Sequence, residues 1–125
     1  RDLENKEVTI VRRDTLEKIK VKTDNVIEEL NKLFPKIQDN MYEKALKRRD
    51  EMIYDAKNYE EFTEIAKNKP GFIKTNWCGD ASCEEKIKDD FSMKSRCLIE
   101  DEKISGPCVC CGKEAKYRLY FGRQY

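Results

Sequence analysis

The apolar positions of this chain follow two different periods, and the change between them marks where strand gives way to helix. Residues 7 to 13, Glu-Val-Thr-Ile-Val-Arg-Arg, have the β-branched density of a strand, with Asp14-Thr15 as a turn after it. Glu17 to Lys22 alternates charged positions with Ile19 and Val21, the pattern of a half-buried strand. From Thr23 onward Val26, Leu30, Leu33, Ile37, Met41, Ala45 and Ile53 recur in helical steps, and Phe34, Tyr42, Leu46 and Met52 widen the stripe. The expectation is a long amphipathic helical region whose stripe is core. Asp24 or Asn25 would cap its start, Asn25 and Glu28 standing at capping-box spacing, and Glu28 and Glu29 suit the positive end of the helix dipole. Pro35 removes a backbone donor inside this region, so a kink or a break into two helices is expected there.

Asn58 and Glu61 repeat the capping-box spacing ahead of Tyr59, Phe62, Ile65 and Ala66, and Lys69-Pro70-Gly71 is a stop signal for that second helix. Phe72 to Trp77 reads as a buried strand and leads straight into Cys78. Glu84 to Phe91 is a short helix, Ser95 to Ile99 a strand and Glu100 to Pro107 a polar loop. Tyr117 to Phe121 is a last strand, with Tyr117, Leu119 and Phe121 on one face. Strands alternating with helices and finishing in a hairpin predict an α+β fold in two layers, helices on one face of a mixed sheet.

Charged residues make up 41% of the 125 positions, toward the disordered side of globular composition, yet the regular apolar spacing argues for a folded chain with a thin core. Lys and Arg total 26 against 25 Asp and Glu, so the net charge of +1 implies no general attraction to nucleic acid or membrane. The far end is less even: Lys103, Lys113, Lys116, Arg118 and Arg123 stand against Glu114 alone. A solvated basic end is one reading, and an anionic partner such as a tRNA backbone is the other. No apolar run approaches the roughly 18 residues of a membrane span and no signal-peptide pattern opens the chain, so a cytosolic location is expected. An opening Arg1 rather than Met is expected of a fragment or a processed chain.

The candidate chemistry lies in six cysteines, all in the second half of the chain. Disulfides fit badly, because the thiols sit in knuckle-like pairs behind long charged helices that need no staples. Cys78-Gly79-Asp80-Ala81-Ser82-Cys83 places two thiols across a turn at a strand end, and Cys108-Val109-Cys110-Cys111-Gly112 places two more in a knuckle whose glycine permits positive φ. Two such turns facing each other make a tetrahedron of thiolates, the donor set of a structural zinc. With no histidine in the chain, a soft-metal site must be all cysteine. Cys78, Cys83, Cys108 and Cys111 are the expected ligands. Cys110 competes with Cys111 for the fourth place, although the two-residue gap from Cys108 to Cys111 reproduces a knuckle better. Cys97, beside Leu98 and Ile99, is expected to be a small buried core residue. Saturated coordination leaves no position for water, so the Zn2+ would be structural, with Lys86, Lys113 and Lys116 near enough in sequence to offset its excess negative charge.

The run Phe72-Ile73-Lys74-Thr75-Asn76-Trp77-Cys78-Gly79-Asp80, the pair Cys83-Glu84, the knuckle Cys108 to Cys111 with Gly112-Lys113, Ala115-Lys116-Tyr117-Arg118 and the ending Tyr120-Phe121-Gly122-Arg123-Gln124-Tyr125 resemble prolyl-tRNA synthetases of the archaeal and eukaryotic type. Upstream, Arg1 to Glu4 and Val11 to Thr15 are similar to the last strand of that family's anticodon-binding domain, and Asn40 to Asp50 to its C-terminal helices. The resemblance implies that residues 1–15 end an anticodon-binding domain and that 16–125 form a C-terminal zinc-binding domain. Its implied topology is a two-layer β-α-β-α-β-β arrangement like the C-terminal domain of translation initiation factor three. It implies a parent that is a class II ligase joining L-proline to tRNA(Pro) with ATP and Mg2+, as a cytoplasmic homodimer. It further implies that the carboxylate of Tyr125 extends toward the parent's catalytic domain. The chain departs from the family in its extra Cys110 and in Pro35, which interrupts a helix usually continuous. Nothing in it resembles the class II catalytic motifs, so these residues alone are expected to be inactive. The alternative from another class is a free-standing zinc module that binds RNA or protein through the basic end.

Overall fold

The structure is a computed structural model and describes residues 4–123. It divides into two compact units, residues 1–48 and 49–125. In the first, β1 (Glu7–Val11) pairs antiparallel with β2 (Lys18–Lys22), setting Val8 opposite Val21 and Ile10 opposite Ile19. The connecting turn is held by polar groups: Arg12 donates to the Asp14 carboxylate through Nε at 3.1 Å and a terminal nitrogen at 2.7 Å. Asn40 Nδ2 donates to the same carboxylate at 2.6 Å and Lys44 Nζ to the Asp14 carbonyl at 3.2 Å. In place of the expected Asn25–Glu28 capping box, Thr23–Asn25 make one 3-10 turn that feeds directly into α1 (Val26–Glu51).

Helix α1 corrects two expectations. It runs as one element through Pro35, since a long helix that loses a single backbone bond at proline keeps those on either side. Its apolar stripe is also not core: of the helix only Leu33 is buried, while Phe34, Met41 and Tyr42 are exposed. A two-stranded hairpin offers too little surface to cover so wide a stripe.

The second unit opens with a strand absent from the sequence reading, β3 (Ile53–Ala56), so Ile53 belongs to sheet rather than helix. After it, α2 (Tyr59–Asn68) starts as expected: the Asn58 side chain accepts from Glu61 N at 2.8 Å, and Glu61 Oε2 accepts from Lys57 N at 2.9 Å. Then come β4 (Phe72–Trp77), α3 (Ala81–Phe91), β5 (Met93–Leu98) and β6 (Tyr117–Arg123). The sheet order is β3-β4-β6-β5, with β3 and β4 parallel and β6 antiparallel to both of its neighbours. Gly71 makes the parallel pair possible. It holds φ +119°, where a Cβ would lie 2.1 Å from the Met52 carbonyl oxygen, the oxygen that Phe72 N bonds to start the β3–β4 ladder.

The core lies between one face of this sheet and the two helices: Ile73, Leu119 and Phe121 from strands, Phe62, Ala66 and Ile87 from α2 and α3, with Ala56, Met93 and Val109. Phe62 packs edge-on to Phe121 at 5.6 Å between ring centres, and Phe91 lies 5.5 Å from Phe62. Each of the two fully buried phenyl rings is worth roughly 2 kcal/mol of apolar burial. Tyr117, expected beside Leu119 and Phe121, is exposed at the strand end and leans on Trp77 at 5.7 Å. Among the described residues no helix is long and apolar enough to cross a membrane.

Candidate metal centre

The end of β4 carries Cys78 out of the sheet, and Gly79, at φ +90°, turns the chain back against the Tyr117 ring, which a Cβ would approach to 3.1 Å. Asp80 then caps α3: its carboxylate accepts from Ser82 N at 3.0 Å and from Ser82 Oγ at 2.9 Å, and those bonds hold it below the usual carboxylate range. This cap fixes Cys83 in the first turn of the helix, at the positive end of its dipole. On the other side the knuckle is a tight hairpin. Cys108 N donates to Lys113 O at 2.7 Å and Gly112 N to Cys108 O at 3.0 Å, while Pro107 and Glu114 form an antiparallel bridge around them. Gly112 takes φ +72°, as its place after the last thiol requires. The halves meet because Val109 N donates to Asn76 O and Lys116 N to Trp77 O, each within 3.0 Å.

These turns bring the sulfurs of Cys78, Cys83, Cys108 and Cys111 within 4.8 Å of one another. Cys78 Sγ lies 3.7 Å from the sulfurs of both Cys83 and Cys111. A disulfide needs about 2.05 Å, so these are free thiols. Thiolates about 2.3 Å from a tetrahedral zinc stand about 3.8 Å apart, so the spacing fits that ion. The electrostatics point the same way. Burial, foremost, pushes the thiols of Cys78 and Cys83 up, and neighbouring thiols raise Cys83 further, since negative charges so close resist ionising together. Cys111 is pulled down to about 7, first by the Lys113 backbone N–H. A divalent cation is the charge that would let all four ionise.

The other candidates fall outside this cluster. Cys110 is half-buried against the hydrophobic core, and burial raises its thiol. Cys97 is exposed, which corrects the expectation of a core thiol: β5 is an edge strand, and a register shift between Ser95 and Leu98 breaks the alternation that would bury it. Of the lysines expected to offset the charge, Lys86 lies over the Tyr59 ring, 4.6 Å from its centre. The basic end is also less free than it reads, since Arg118 is buried against Glu102 and Asp55 and Arg123 bonds the Ala66 carbonyl. Tyr125 lies outside the described residues. Asn76 and Arg118, opposite each other on β4 and β6, were missed as part of this region; their one signal was a polar or charged residue at a buried position within a strand.

A family model described as "Prolyl-tRNA synthetase, C-terminal" matches residues 59–125, more than half of the chain and all four clustered cysteines. The chain belongs to that family. Among curated relatives, the proline–tRNA ligase of Clostridium novyi is 49% identical over 126 aligned residues, covering 100% of this chain and 26% of the relative. That of Lachnospira eligens is 48% identical with the same coverage. The chain thus spans about a quarter of the length of these curated relatives. Two crystal structures of prolyl-tRNA synthetase from Cryptosporidium parvum superpose with a TM-score of 0.88 over 99% of this chain and 27% of theirs. One is complexed with halofuginone and AMPPNP at 30% identity, the other with L-proline and AMP at 32%. The α+β fold with its mixed sheet is therefore that of the synthetase C-terminal region.

Proposed function

We propose that the chain is the C-terminal structural part of a proline–tRNA ligase, a class II enzyme that attaches L-proline to tRNA(Pro) using ATP and Mg2+. The observation that carries the reading is end-to-end alignment with curated proline–tRNA ligases at 49% and 48% identity. Within it, residues 1–15 end the anticodon-binding domain and 16–125 form the zinc-binding domain, with the two-layer topology of the translation initiation factor three C-terminal domain. The parent is a cytoplasmic homodimer, and the carboxylate of Tyr125 extends toward its catalytic domain. This region supplies no catalytic group. Cys78, Cys83, Cys108 and Cys111 would hold Zn2+ as thiolates, a reading supported by four sulfurs within 4.8 Å and a Cys78–Cys83 spacing of 3.7 Å. The ion would supply a crosslink, not a Lewis acid, because four protein ligands close its coordination.

The test is proline-dependent ATP–pyrophosphate exchange by the full-length parent, compared with a version lacking residues 21–125, together with elemental analysis of reduced protein. Exchange that depends on proline and one zinc per chain are expected. Exchange driven by another amino acid, or reduced folded protein without metal, would overturn the respective half of the reading.

A further inference from the structure

Cys108 sits at the far end of a long connection. Residues 99 to 116, between β5 and β6, contain neither helix nor strand, a length at which a segment normally needs dedicated restraints. Its restraints converge on two residues. Arg118 is 8% exposed, yet every arm of its guanidinium is used: Nε donates to Glu102 Oε2 at 2.8 Å, one terminal nitrogen to Asn76 Oδ1 at 3.0 Å and the other to Asp55 Oδ2. Its carbonyl accepts from Ile99 N at 2.8 Å, where the connection begins. Asn76 completes the set, donating through Nδ2 to Ser105 O at 2.6 Å and accepting at its own carbonyl from Val109 N at 3.0 Å. Lys74 adds a 2.8 Å bond to the second oxygen of Glu102.

The connection is therefore pinned at residues 99, 102, 105, 109 and 116: the bonds at 99, 109 and 116 go to the backbone carbonyls of Arg118, Asn76 and Trp77, and those at 102 and 105 are made by the side chains of Arg118, Lys74 and Asn76. Asn76 is two positions before Cys78, and Val109 is next to Cys108. The Asn76 and Arg118 side chains thus tie the strand that delivers the first thiol to residues 102 and 105 of the segment that delivers the third, and the Asn76 backbone carbonyl holds Val109 beside it.

We infer that Asn76 and Arg118 are positioning residues of the metal centre, a clamp that holds the Cys108–Cys111 knuckle against the Cys78–Cys83 turn. The inference rests on the zinc reading above. A buried arginine costs desolvation, and a hydrophobic replacement of similar volume often packs as well, so stability alone does not explain it. Its planar fork reaches three acceptors at fixed angles, which the single ammonium of lysine does not reproduce. Loss of hydrogen bonds made directly to the ligands of metal sites typically costs about 10- to 100-fold in metal affinity, and the clamp is expected to act on that scale through the backbone that carries Cys78 and Cys108.

The experiment follows zinc release from the full-length parent to a chromophoric chelator, well below the melting temperature. The wild type is compared with Arg118→Gln, Arg118→Lys, Asn76→Ala and Glu102→Gln. Phe62→Leu, in the core away from the clamp, serves as a control for general destabilisation, read at equal distance from its own melting temperature. Expected are one zinc per chain in each protein and release about 10- to 100-fold faster in Arg118→Gln and Asn76→Ala. Arg118→Lys should stay close to Arg118→Gln, and Glu102→Gln should show a smaller rise. Release from the clamp variants no faster than from the Phe62→Leu control overturns the inference while leaving the zinc reading intact. A wild type that carries no zinc overturns both. Should Arg118→Gln fail to fold, Asn76→Ala and Glu102→Gln decide by the same criterion.

Discussion

Residues 49–125 bury Phe62, Phe121, Ile73, Ile87 and Leu119 almost completely, whereas among the described residues of 1–48 only Val21 and Leu33 are buried. The first of these regions stands on shape-matched apolar packing and a cluster of thiols. The other stands on polar local bonds: the Arg12–Asp14–Asn40 clasp, the five-pair β1–β2 ladder, and the pairing of Lys32 with Glu28 and Glu29 one turn back. Ion pairs on an exposed helix face are screened by water and contribute little to stability. The difference teaches that a long helix does not make a core. A 26-residue α1 contributes one buried side chain, while the 10-residue α2 contributes two and meets the ring of Phe121.

The largest effect should come from the thiols. On the proposed zinc reading, Cys108→Ser or treatment with a chelator is expected to cost the 49–125 unit several kcal/mol, because binding energy at a closed site is folding energy. Hydrogen exchange would register it as lost protection in β4, β6 and α3 with that of β1–β2 unchanged; equal loss in both regions would erase the contrast. Next in size is the core: Phe62→Ala should cost about 3–5 kcal/mol in denaturant unfolding, against a change within about 0.5 kcal/mol for Phe34→Ala on the exposed face of α1. Similar costs for the two would mean that the stripe on α1 is packed after all.

A smaller effect is expected from acid. Its bond to Arg12, first, and that to Asn40 hold Asp14 well below the ordinary carboxylate value, so the folded state binds its proton later than the unfolded chain does. That contribution is fully present above the unfolded value and fades as the pH falls through the folded one. The amide signals of the β1–β2 turn should broaden below the ordinary carboxylate range in the wild type and show no such transition in Asp14→Asn. Least of all is expected of Cys97→Ala, whose exposed edge position predicts unchanged zinc stoichiometry and an unfolding midpoint within error; loss of metal there would place Cys97 in the cluster.

Much of this contrast was legible in the residues. Strand β4 begins and ends where its β-branched and aromatic run does, and α2 opens on the Asn58 cap, because both are set by neighbours in sequence. The two cysteine turns were legible as turns for the same reason, Gly79 and Gly112 supplying the positive φ that each needs. Strand β3 was not, since Ile53 falls in phase with the helical stripe before it. Only its parallel pairing with β4, reached through the α2 crossover and the close approach at Gly71, makes it a strand. The exposure of Phe34 and Met41 was not legible either, because amphipathic spacing says which face is apolar and not how much surface exists to cover it. Arg118 counted in sequence as one charge of a basic end. Its burial is a property of Asp55 and Glu102, which are distant along the chain.

The threading of β6 between β4 and β5 has a consequence for how the protein is made. Neither of those earlier strands bonds the other; each waits for the same late-synthesised partner. Beyond the β3–β4 pair, whose strands are both made earlier, the sheet cannot zip up progressively as the polypeptide leaves the ribosome, and its closure is delayed until β6 has emerged. During that interval β4 and β5 present open edges, a window in which chaperone capture competes with aggregation.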